Sequence, residues 1–218
     1  MTITVGNKTT FTQTPASNFE TFNHSHNTGA DGFLFCHFSM PNGVNFGSCT
    51  YQGVSMTLIS VKNFSSLSQR NAVFALENPP TGVNQVKINF TGNQWNSTSC
   101  FAQSFLGAQL GGNVVNLGGN SSSTRTGNIT ISANSYIFTS SCSNSGILTN
   151  QIPTGTNRPA LFTANAIRQV RGSLSASPLS AGITSCRSTS SSNITLFMYE
   201  IQEKASLVDS SSNFLLMF

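Results

Sequence analysis

Three histidines, five cysteines and six carboxylates are the material from which a reactive or metal-binding site would be built in this chain of 218 residues. His24-Ser25-His26 is the one metal-like pair. Residues i and i+2 of a strand share a face, so both imidazoles reach toward one point. Zinc takes three or four protein ligands, and His37 or a carboxylate such as Asp31 would have to complete the set. No third ligand stands at a telling spacing. The pair therefore reads as a solvated strand face among Ser and Asn, and neither a metal nor another cofactor is expected.

Other catalytic chemistry has as little to work with. Serines abound, but no G-x-S-x-G elbow occurs. Hydrolysis of a glycoside needs two carboxylates facing each other across a sugar. Glu20, Asp31, Glu77 and Glu200 are isolated from one another in sequence. The expectation is a protein that is not an enzyme. Cys36, Cys49, Cys100, Cys142 and Cys186 contain no CxxC pair, which argues against a zinc ribbon or a thioredoxin-like site. Several lie in strand-like text, as in Phe33-Leu34-Phe35-Cys36-His37-Phe38, and read as small buried hydrophobes. Free thiols would imply folding in a reducing cytoplasm; one or two disulfides are the alternative.

Aromatic residues among amides offer a binding chemistry instead. Trp95, in Gly92-Asn93-Gln94-Trp95-Asn96, is placed to stack on a sugar ring while the amides bond its hydroxyls. Tyr51 is a second possible glycan contact and Tyr136 a weaker one. The competing reading makes each a loop aromatic that caps one end of a core.

Composition narrows the class. Only 7% of the chain is charged, while an ordinary 38% is hydrophobic. The net charge of +4 is not concentrated in any basic run, so nucleic acid is not an expected partner. No stretch approaches the ~20 apolar residues of a membrane span. Met1-Thr2-Ile3-Thr4-Val5 has neither the basic nor the apolar region of a secretory leader, so sequons such as Asn128-Ile129-Thr130 read as chance.

Strands must position these residues. Helical periodicity is nearly absent, and short β-branched and aromatic runs bounded by Gly, Asn, Pro and Ser follow one another from about residue 8 to residue 202. In Gln85-Val86-Lys87-Ile88-Asn89-Phe90, Val86, Ile88 and Phe90 share one face, the mark of a strand with a core side and a water side. Ser55-Met56-Thr57-Leu58 and Ile129-Thr130-Ile131-Ser132 alternate similarly, which places Met56 and Leu58 in the core. Asn78-Pro79-Pro80-Thr81-Gly82 reads as a turn. The text shows no exact internal repeat. Residues 110–125, rich in Gly, Asn and Ser, read as a long loop, a hairpin or a boundary. The expected architecture is all-β: a single antiparallel β-sandwich over residues 1–202, followed by a tail over 203–218. Phe214, Leu215, Leu216, Met217 and Phe218 end that tail, either docking on a neighbour as an assembly contact or packing back as an edge strand.

Several of these segments fall in a familiar order. Thr50-Tyr51-Gln52-Gly53-Val54-Ser55-Met56-Thr57-Leu58 resembles a "tYgGvamTl" element. Phe74-Ala75-Leu76-Glu77-Asn78-Pro79-Pro80-Thr81-Gly82, with its strand to Phe90-Thr91-Gly92, resembles "yLvnPptGtntVtvtFsG". Ser104-Phe105-Leu106-Gly107-Ala108 is similar to the "vsftGv" strand that follows. Together they resemble a family of β-sandwich modules in tailed-phage structural proteins and bacterial surface proteins. The chain departs from it in having Ala30-Asp31-Gly32 where an Asn-Arg pair usually stands, and Gln52 where the turn has a first glycine. The resemblance implies a jelly-roll-like sandwich in a virion, a homo-oligomer contacting other virion proteins on capsid or tail. The alternative is an adhesive module that binds host surface glycans. No catalytic residue is carried over.

Overall fold

The computed structural model describes residues 3–13, 18–26, 32–64, 69–92, 98–117, 123–143, 147–160, 162–165 and 169–204. Among them every regular element is a strand. The first half of the chain holds β1 (Thr4–Gln13), β2 (Phe19–His26), β3 (Gly32–Pro41), β4 (Asn45–Tyr51), β5 (Val54–Ser55), β6 (Thr57–Phe64), β7 (Gln69–Glu77), β8 (Gly82–Thr91) and β9 (Thr98–Leu106). The second half holds β10 (Ala108–Leu117), β11 (Thr124–Ile131), β12 (Ser135–Ser143), β13 (Thr149–Gln151), β14 (Asn157–Arg158), β15 (Phe162–Asn165), β16 (Gln169–Leu174), β17 (Gly182–Thr189) and β18 (Ile194–Glu203).

The two halves have one topology. Strand order is β1-β9-β3-β7-β6 and β2-β8-β4-β5 in the first, β10-β18-β12-β16-β15 and β11-β17-β13-β14 in the second. Adding nine to each strand number converts one set into the other. Each half is an antiparallel sandwich with jelly-roll winding, in which the chain passes back and forth between two sheets except at the β4–β5 and β13–β14 hairpins, plus one added edge strand, β6 or β15. The expected single sandwich over 1–202 is thus a duplicated one. The join is Gly107, at φ +62°, where the chain leaves β9 and enters β10.

The five-stranded sheets pack face to face, so four layers stack: outer, inner, inner, outer. Three cores fill the gaps. Phe33, Phe35, Phe101, Phe105, Phe138, Phe197 and Tyr199 join the two inner sheets. Leu34, Cys36, Phe38, Tyr51, Val86, Ile88 and Cys100 fill the first sandwich, and Ile129, Ile131, Ile137, Ile152, Cys186, Leu196 and Met198 the second. Strands β3, β9 and β12 are buried on nearly every residue because both their faces meet a core, and β18 is buried to its last two. Their text is accordingly a largely apolar or hydroxyl-bearing run, interrupted by His37, Gln103 and Glu200, rather than an alternation. Outer strands alternate, as β8 does from Gln85 to Phe90.

Near the junction three residues of β3 meet residues of β12 in step, as across a two-fold axis. Phe35 and Phe138 cross edge to face at 5.0 Å, His37 Nδ1 bonds Ser140 Oγ, and Ser39 Oγ lies 3.3 Å from Cys142 Sγ. All five cysteines are buried free thiols.

One strand expectation fails in a simple way. Met56 is buried but Leu58 is 46% exposed. The chain crosses from outer to inner sheet between β5 and β6, so the two residues do not share a face.

Candidate functional site

The metal-like pair is an interior relay. His24 and His26 lie on the inward face of β2 and are each 1% exposed. Between them sits Ser104 of β9, fully buried, with Oγ 2.8 Å from His24 Nε2 and 2.8 Å from His26 Nδ1. Thr9 Oγ1 of β1 closes the chain at 2.9 Å from His24 Nδ1. A hydroxyl has one proton to donate, so one imidazole nitrogen facing Ser104 is bare and the other carries hydrogen. Burial, and then the neighbouring His26, lower the pKa of His24 to about 4; burial lowers that of His26. Both imidazoles are therefore neutral at pH 7.

Tyr51, proposed above as a glycan contact, is corrected to a core residue. It is fully buried, and its hydroxyl shares its proton between the His24 and Gly82 carbonyls at 3.1 and 3.0 Å. The same oxygen accepts the His26 backbone N–H at 3.3 Å. The ring fills the sandwich while the oxygen ties β4 to β2 and β8, leaving no face for a sugar. His26 Nε2 is buried without a hydrogen-bond partner among the described residues.

The second half shows what these positions hold when they are not polar. His26 lies opposite Gly82, and Ile131 opposite Gly182; both glycines have positive φ. The counterparts of His24 and His26 are therefore Ile129 and Ile131. The counterpart of Ser104 is Glu200: a glycine of the bulged first strand, Gly6 or Gly111, lies against each. A Cβ on Gly6 would come within 3.0 Å of Ser104, and one on Gly111 within 2.5 Å of Glu200.

Glu200 is fully buried, and its carboxylate is enclosed by donors. Oε1 accepts the Ser132 N–H at 2.6 Å, the Ser135 hydroxyl at 2.8 Å and the Gln202 amide at 3.2 Å; Oε2 accepts the Asn113 amide at 2.8 Å. Burial alone raises its pKa, but these hydrogen bonds outweigh burial and hold it at about 2. Glu200 is thus an anchored anion in the second sandwich where the first has a neutral relay.

The remaining residues singled out from sequence are scattered. His37 lies between the inner sheets, with Nε2 3.0 Å from Asn71 Oδ1, and completes nothing with His24 and His26. Among the described residues no group of three or more His, Cys, Asp or Glu is placed to hold a metal ion. Glu20 is buried on the inward face of β2, and Glu77 ends β7 at a turn. Tyr136 is buried in the central core. Trp95, Asp31 and Phe214 to Phe218 lie outside the described residues. No helix among the described residues is long and apolar enough to cross a membrane. Reasoning from sequence missed Ser104 and named Glu200 only as an isolated carboxylate; the signal available was polar residues inside largely apolar strands, Gln103 and Ser104 between Phe101 and Leu106 and Thr195 and Glu200 between Ile194 and Ile201. Compared with known proteins, the chain matches no family model and no curated protein.

Proposed function

We propose that this chain is a structural protein of a tailed-phage virion, displayed on capsid or tail as a decoration or fibre-type subunit. It works without catalysis, in a homo-oligomer and against other virion proteins. The observation that carries this reading is the tandem of jelly rolls joined through their inner sheets. Both outer sheets are left facing outward, with hydroxyls, amides and matched apolar side chains on view. Val83 and Ile183 occupy the same position of each half and are 69% and 73% exposed. Weakly charged surfaces of this kind suit close packing against neighbours, and jelly rolls recur in viral capsid and lectin domains. A fold hosts many functions, so the resemblance to phage structural modules supplies the virion context. The apolar end, Phe214 to Phe218, is assigned the assembly contact.

Immunogold labelling of purified particles tests this, with full-length and 205–218-deleted protein compared. Gold on particles, and at least tenfold weaker incorporation of the truncated chain at unchanged melting temperature, is the expected result. Gold confined to the soluble lysate would overturn the virion reading; equal incorporation would overturn the role of the tail.

An adhesive role is the second reading. A surface cavity of about 290 Å³ is lined by Val61, Lys62, Asn63 and Arg70. The Arg70 guanidinium is fixed there by its bonds to Asn45 Oδ1 and, at 3.0 Å, the Val44 carbonyl. Cation, amide and apolar side chain at one place suit a sugar bearing a carboxylate. Glycan-array binding lost on Arg70→Ala or Trp95→Ala in a folded protein would favour this reading.

A further inference from the structure

We propose that the Thr9–His24–Ser104–His26 relay is an acid-sensitive latch: on acidification it releases β1 and β2 of the first jelly roll, while β10 and β11 of the second stay closed.

The geometry carries the asymmetry. Among the described residues β1 and β2 are edge strands, each hydrogen-bonded to a neighbour on one side only, and so are β10 and β11. Across the first sandwich the relay links β1, β2 and β9 through Thr9, His24, His26 and Ser104. At the counterparts of the two imidazoles, β11 presents Ile129 and Ile131, which do not titrate. Near-identical topology therefore carries a titratable closure in one half and an apolar one in the other.

Proton counting explains why the relay needs neutral rings. With one bare nitrogen at Ser104, the hydroxyl accepts one hydrogen bond and donates one. A further proton on that nitrogen points two N–H groups at one oxygen and deprives the hydroxyl of its acceptor. It also places a cation in the interior beside a second imidazole. Among the described residues the His26 Nε2 has no partner to share such a charge.

The groups packed round the relay do not compensate. β3, β4 and β9 bring the thiols of Cys36, Cys49 and Cys100, all pushed up by burial and so uncharged. β4 also brings the Tyr51 hydroxyl. β1 carries Lys8, which is exposed, and β8 carries Lys87, whose ammonium lies 4.9 Å over the Phe19 ring. Glu20 is the carboxylate on the inward face of β2. It stands four residues before His24, about 13 Å along the strand at the rise of an extended chain. Burial raises its pKa, which disfavours the anion.

The sign follows from linkage. Closed His24 has a pKa of about 4 against an ordinary 6.5, so the open state binds protons more tightly. Closure is at full strength above the ordinary value and weakens as pH falls through the interval down to about 4.

Hydrogen exchange on the full chain at about pH 7 and about pH 4.5, corrected for intrinsic rates, tests the latch. Protection of β1 and β2 should fall at least tenfold more than that of β10 and β11, an order-of-magnitude expectation from the linked shift. In His24→Ile/His26→Ile, which installs the second half's own residues, the difference should vanish. His37→Gln, altering the histidine between the inner sheets, should leave it intact. Equal loss in both halves, or an undiminished difference in the double variant, would overturn the proposal. Should the double variant fail to fold, imidazole titration by NMR in the unmodified protein decides: midpoints well below 6.5 for His24 and His26 support the latch, and ordinary midpoints sink it.

Discussion

At the scale of residues, the paired positions Ser104 and Glu200 show how one backbone site supports two polar solutions. Glu200 stays ionised because four donors meet it, and its pKa of about 2 makes it a source of stability above the ordinary carboxylate range. That contribution is lost as pH falls from about 4.5 toward about 2, since protonation removes the acceptor charge. Glu200→Gln keeps the volume but turns one accepting oxygen into a donor that faces other donors. The expected cost is about 1.5–3 kcal/mol at neutral pH, the range for hydrogen bonds to a charged group. Urea denaturation at neutral and strongly acidic pH checks it, and the gap between variant and parent should close in acid. The shared face of His24 and His26 was legible from spacing alone. Their burial was not, because Asn23 and Ser25 beside them are polar and the covering strand, β9, lies about 80 residues further on. Tyr51 misled for the same reason: Gln52 and Gly53 belong to a turn, while the ring points back into the sandwich.

At the scale of elements, the β4–β5 hairpin shows how turn chemistry fixes register. Gln52 and Gly53 have φ of 51° and 76°, the double positive φ of a type I′ turn. The backbone N–H of Gln52 donates to the Gln85 carbonyl at 3.0 Å, which holds the turn against β8. Glycine bears such a φ without strain, but glutamine does so at a cost. Gln52→Asn should therefore stabilise the protein by roughly 0.5–1 kcal/mol, because asparagine tolerates the left-handed region better. Chemical denaturation with an unchanged m-value would bear this out, and no gain would mean that the Gln52 side chain contributes something the turn geometry does not reveal. The strand alternation of β8 and β11 was readable for a related reason: period-two patterning survives wherever one face meets water. The break at Met56 was not readable, since a strand that changes sheets keeps an extended, apolar text.

At the scale of the molecule, the scarcity of charge and the duplication have one physical origin. Two sandwiches joined by their inner sheets leave β3, β9, β12 and most of β18 without a solvent face, and a lysine or glutamate there is desolvated unless partners enclose it as they do Glu200. Serine and threonine serve instead, because a hydroxyl finds a partner within the core, as Ser141 does with Asn150 at 2.8 Å. The duplication escaped the sequence because counterparts such as His24 and Ile129, or Ser104 and Glu200, share position but not chemistry. Their common core also dictates how the molecule unfolds. Phe138 touches Phe35, Phe101 and Phe105 of the first half and Tyr199 of the second, with ring centroids 5.0 to 6.4 Å away. Neither jelly roll can open its inner sheet without exposing the other's aromatic face. At neutral pH the halves should therefore melt in one transition, with calorimetric and van't Hoff enthalpies equal. Phe138→Ala, though it lies in the second half, should lower the stability of both by about 3–5 kcal/mol, the cost of emptying a large aromatic from a packed core. Two separate transitions in the parent, or a variant in which only residues 108–204 lose exchange protection, would show that the central core does not couple the two sandwiches.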